Sequence, residues 1–62
     1  MNEFTIEEKL REVEREIALR ERFYPGWVSV GKVTAARAKK QLDILREIAS
    51  DYRKEQQKGR LV

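Results

Sequence analysis

Asp43, Glu47 and Asp51 recur at i, i+4 and i+8, a spacing that sets three carboxylates in a row along one side of a helix. Oxygen ligands of this kind attract hard divalent cations. A rigid helix offers them as a line rather than a cage, and Lys39, Arg46 and Lys54 stand close enough to neutralise it. The chain has no cysteine and no histidine, which excludes thiolate nucleophiles, imidazole bases, disulfides and the usual zinc and haem ligands. Gly26 and Gly31 flank aromatic and valine residues with no Gly-Lys-Ser/Thr run after them, so no phosphate-cradling loop is expected. The other acids alternate with Lys and Arg in solvated helical patterns. These residues imply no catalytic set, no metal and no cofactor.

The second chemical candidate is cationic. No acid occurs between Phe23 and Leu42, whereas Lys32, Arg37, Lys39 and Lys40 all fall there. Arg37 and Lys40 are three apart and share a helix face, while Lys39 is turned about 100° from Lys40. Lys32, Arg37 and Lys40 are therefore the residues expected to gather on one phosphate ligand, with Tyr24 and Trp27 near enough to stack on bases. Three such contacts support only weak, sequence-independent binding to nucleic acid. The connection between the helices is too long and too apolar for a helix-turn-helix.

The elements that must hold these groups are helical. Thr5 followed by Glu8 fits a capping box, and apolar Ile6, Leu10, Val13 and Ile17 then recur at spacings of 4, 3 and 4. Glu7–Arg11 and Glu16–Arg20 are i,i+4 pairs in the favourable order. Pro25 is expected to end or kink this helix near residue 23. Thr34 is the next N-cap, and Ala38, Leu42, Leu45, Ala49 and Tyr52 trace a second seam over about residues 35–57, stopped by Gly59. A basic polar tail, 58–62, follows.

Between the helices lies a corner, 24–33, anchored by Tyr24, Pro25, Trp27 and Val28, with Gly31 suited to a left-handed helix exit. A last helical turn over Pro25–Val30 and a strand over Trp27–Val33 are alternative readings, though the latter has no second strand to pair with except across a dimer. Trp27 is expected to plug the turn end of the core. The alternative is an exposed binding anchor.

Ile44 and Ile48 lie to one side of the second seam and ask for a further partner. Length gives the same demand: 62 residues bury only about 60% of the unfolded surface. Below about 70–80 residues a domain usually adds disulfides, a metal or oligomerisation, and only the last is open here. The expected architecture is all-α: an antiparallel two-helix hairpin with an aromatic corner, pairing into a dimeric four-helix bundle. Ile44, Ile48, Leu45 and Tyr52 are the expected interface with a second protomer or another protein. The alternative cover is the corner itself, with Phe23, Trp27 or Val30 folded over Ile44 and Ile48.

Charge is uneven along the chain. Residues 1–22 carry net −2 and residues 23–62 net +5, within an overall +3. No apolar run approaches the ~18 residues of a membrane span, and MNEFTIEEKL lacks the layout of a signal peptide. A cytoplasmic chain without membrane contact is expected.

The run Arg20-Glu21-Arg22-Phe23-Tyr24-Pro25-Gly26-Trp27-Val28, then Gly31-Lys32-Val33-Thr34, Ala38 and Ile44 through Tyr52, resembles a group of small phage and prophage proteins. These share an R-E-R-x-Y-P-x-W-V-x-x-G pattern followed by a Thr-capped helix with an I-A-x-D-Y-like end. The resemblance covers about residues 16–53 and implies a phage or prophage setting, with no activity attached. Gly26 stands where relatives often carry a basic residue, which weakens a basic-corner function. The function expected is that of a non-enzymatic adaptor or regulator acting by protein–protein contact. A weak nucleic-acid accessory factor and a purely structural self-assembling bundle are the alternatives.

Overall fold

In the computed structural model, residues 3–60 are described; Met1, Asn2, Leu61 and Val62 lie outside the described residues. Two helices, α1 (Ile6–Ser29) and α2 (Ala35–Arg60), pack against each other antiparallel, and no strand occurs among the described residues. The start of α1 is closed as its sequence dictates. The Glu8 amide donates to Thr5 Oγ1 at 3.0 Å, and the Thr5 amide donates to Glu8 Oε1 at 3.2 Å. At the start of α2 the Arg37 amide donates to Thr34 Oγ1 at 3.1 Å. Each bond satisfies a donor that the first turn would otherwise leave without a partner.

Pro25 does not end α1. The helix runs through it to Ser29, so the connection shrinks from the expected 24–33 to residues 30–34. Proline removes one backbone donor and disfavours helical angles before it, at about 3 kcal/mol in a helix interior. Aromatic packing offsets that cost here. Phe23 and Trp27, one turn apart across the proline, stack at 6.0 Å with rings 17° from parallel. Tyr24 meets Trp27 at 5.6 Å, and its own ring is buried against α2. The strand reading of Trp27–Val33 fails for the same reason, since Trp27, Val28 and Ser29 belong to α1.

The exit from α1 is a complete Schellman motif. The Lys32 amide donates to the Trp27 carbonyl at 2.8 Å, and the Gly31 amide to the Val28 carbonyl at 3.1 Å. Closing both bonds requires the left-handed backbone that Gly31 supplies at φ +79°. At the other end, α2 continues through Gly59 to Arg60 rather than stopping near residue 57. Lone glycine in a helix costs only about 1 kcal/mol, too little to enforce a stop by itself.

The two seams meet, but thinly. Leu10, Tyr24, Ala38 and Ala49 are buried, and no large side chain among the described residues is fully enclosed. Ile6, Val13, Ile17, Leu42, Leu45 and Tyr52 are half-buried. Ala38 and Ala49, both buried, put only a methyl group each between the helices. The result is a rod of 48 × 19 × 18 Å with a radius of gyration of 14.4 Å. A globular chain of this length would have about 10.6 Å.

Candidate protein-interaction face

The two broad faces of this rod differ in chemistry. On one, Arg46 pairs with Glu21 at 3.1 Å and Arg53 with Glu14 at 2.7 Å, lacing α2 to α1 with charge. These four side chains are half-exposed, and such pairs remain well hydrated.

The opposite face is apolar towards the turn and grooved at both ends. Along α1, Leu19, Phe23, Trp27 and Val30 recur at spacings of 4, 4 and 3; at about 100° per residue they fall within about 80° of arc. Each is exposed: Trp27 is 41% accessible and Val30 69%. Leu19, Phe23 and Trp27 form one wall of a groove of about 810 Å³, with Lys32, Arg37 and Gln41 opposite. Towards the open end of the hairpin a second groove of about 550 Å³ lies between Phe4, Val13 and Tyr52, bordered by Glu8 and Glu12 and by Lys9 and Arg11.

Tyr24 forms the floor of the turn-end groove. Its hydroxyl donates to the Gln41 side-chain oxygen and accepts from Arg20 Nε at 3.1 Å. Arg20 in turn pairs with Glu16, and that hydrogen-bonded carboxylate raises its already high pKa further. Every polar atom of the floor is thereby satisfied, and the ring is only 5% exposed. Tyr24, not Trp27, is the plug of the turn end. Trp27 packs on it from outside.

The residues singled out in sequence separate into distinct places. Leu45 and Tyr52 sit half-buried in the seam, and Ile48 is half-buried on its flank. Ile44 is 48% exposed, so the corner does not fold over it. Pro25 is exposed and Val28 half-buried. Lys32 and Arg37 both border the turn-end groove, and neither makes an ion pair among the described residues. Lys40 lies instead in a shallow depression with Lys39, Asp43 and Glu47.

Lys39 bonds Asp43 at 2.7 Å, and Arg46 approaches it at 3.5 Å. The hydrogen bond from Lys39 holds the Asp43 carboxyl below the ordinary aspartate value, reinforced by the charges of both cations. Among the described residues no three carboxylates gather as a metal centre.

Leu19, Phe23, Val30 and Gln41 escaped the expected interface. For the first three the signal was present, since the 4, 4, 3 spacing with Trp27 is helical. It becomes visible only if the helix is carried across Pro25.

No helix among the described residues is long and apolar enough to cross a membrane. Comparison with protein-family models, with curated proteins and with solved structures finds no match to this chain.

Proposed function

We propose that this chain is a non-enzymatic adaptor or regulator that acts by protein–protein contact, as two hairpins paired into a four-helix bundle. The observation that carries this reading is the asymmetry of the rod: one face is closed by interhelical ion pairs and the other exposes Leu19, Phe23, Trp27 and Val30. Exposed aromatic residues beside arginine are the side chains from which binding hot spots are made. The phage or prophage setting and a place in the host cytoplasm follow from the sequence resemblance and belong to the same proposal.

An affinity capture from the host, with and without nuclease, tests it against the alternative ligand class. A protein retained after nuclease and lost from Trp27→Glu supports contact through this face. Recovery of nucleic acid alone contradicts it.

One observation favours the second reading. Lys32 and Arg37 border the same groove as Trp27, an arrangement suited to phosphate beside a stacked base. With Lys40 set apart, two contacts per protomer give a log–log salt slope of about −1.8 on duplex DNA. Such binding is weak and vanishes at ordinary salt.

A further inference from the structure

The turn-end groove holds more positive charge than its own residues balance. Its lining sets Arg20, Lys32 and Arg37 against a single acid, Glu16, a net of +2. Glu16 is already bonded by Arg20. Lys32 and Arg37 have no ion-pair partner among the described residues, and they stand across the groove from Phe23 and Trp27.

A second copy does not supply the missing charge. Its open-end groove sets Glu8 and Glu12 against Lys9 and Arg11, a net of zero. Glu12 is held there by Arg15 at 3.1 Å, and Glu8 closes the capping box on Thr5. Its turn-end groove would bring the same +2 again. Self-pairing therefore covers the aromatic wall and leaves Lys32 and Arg37 unmatched in either orientation.

Resting on the protein-contact reading above, we infer that the partner this groove accepts is an acidic amphipathic helix of another protein. The apolar wall from Leu19 to Trp27 runs about 12 Å, two turns of a helix carrying apolar residues at i, i+4 and i+7. An extended segment would need backbone partners from walls that are mostly helix, whose own backbone groups are paired internally. A helix satisfies its backbone by itself. Aspartate or glutamate along one flank of its apolar row then meets Lys32 and Arg37. Both occupants need Phe23 and Trp27, so the acidic helix takes the place of the second copy.

The probe is a dye-labelled, alanine-based peptide of about 15 residues, with leucine at i, i+4 and i+7 and glutamate along one flank. A lysine-flanked twin and a glutamate peptide with serine for leucine are its controls. At ~150 mM salt, fluorescence anisotropy with the native chain should show the glutamate peptide bound about tenfold tighter than its lysine twin. The complex should have the mass of one hairpin and one peptide. In Lys32→Glu/Arg37→Glu, with folding checked by circular dichroism, the preference should invert to the lysine peptide. Equal binding of the two leucine peptides, or a preference that fails to invert, overturns the inference. Undiminished binding of the serine peptide overturns it in favour of a polyanion such as nucleic acid. A native dimer that binds neither leucine peptide overturns the acidic partner and leaves self-pairing standing, whereas a monomer that binds neither overturns both.

Discussion

The Tyr24 hydroxyl donates to the side-chain oxygen of Gln41, seventeen residues away on the other helix. This bond and the buried ring beneath it fix the turn end of the hairpin. Tyr24→Phe keeps the ring and loses the bond, which should cost about 0.5–1.5 kcal/mol in a urea melt. Tyr24→Ala should cost about 3–5 kcal/mol, most of the stability of so small a fold, and abolish the helical circular-dichroism signal. Trp27→Ala loses an exposed stacking partner worth about 0.5–1.5 kcal/mol and keeps that signal. The reverse ranking, with Trp27 the costlier loss, would contradict the assignment of Tyr24 as the plug.

Pro25 sits inside α1 and is exposed, so nothing in its surroundings requires the ring. Replacement by alanine restores a backbone hydrogen bond to the Glu21 carbonyl and removes a steric clash. The gain of about 3 kcal/mol in helix propensity is offset by about 1 kcal/mol from a freer unfolded chain. Pro25→Ala should therefore stabilise by about 2 kcal/mol. A destabilised variant would mean that the turn depends on the proline itself.

The proline also explains how much of the fold could be read from sequence. Thr5, Glu8, Gly31 and Thr34 act through bonds to backbone a few residues away, so their types and spacing reveal them directly. The seams from Ile6 to Ile17 and from Ala38 to Tyr52 are legible for a similar reason, because a single period of 3.6 governs both. The end of α1 is not local. It depends on Tyr24 packing against α2 and on a stack across Pro25, which tertiary contact decides. Misplacing that end hides the row Leu19, Phe23, Trp27 and Val30, and with it half of the candidate face. The split of Lys40 from Arg37 was equally hidden: three apart on α2 they are only about 60° around the helix, and it takes the packing of α1 to show that the groove ends between them.

Asp43 gives a pH prediction with a definite sign. Its folded-state pKa is depressed, first by the hydrogen bond from Lys39. Its contribution to stability is therefore present above the ordinary aspartate value of 3.8 and is lost as pH falls through the depressed one. NMR titration should place its midpoint below 3.8, and Lys39→Gln should raise it towards 3.8. A midpoint unmoved by that substitution would show that the pair does not persist in solution.

The charged face should be energetically quiet. Glu21→Gln and Glu14→Gln each break one hydrated interhelical pair and should cost under about 1 kcal/mol, less at high salt. Neither should change the association state. A loss of assembly in either variant would place the interface on the wrong side of the rod.

The most direct test of the self-pairing proposal is the solution mass at micromolar concentration, by sedimentation equilibrium or light scattering. The native chain should weigh about twice 7.4 kDa. Trp27→Glu should return it to the monomer, as should Phe23→Glu one turn before it in the same groove, while Glu21→Gln stays dimeric. A native chain that remains at 7.4 kDa across the whole concentration range, yet melts cooperatively, would contradict the account.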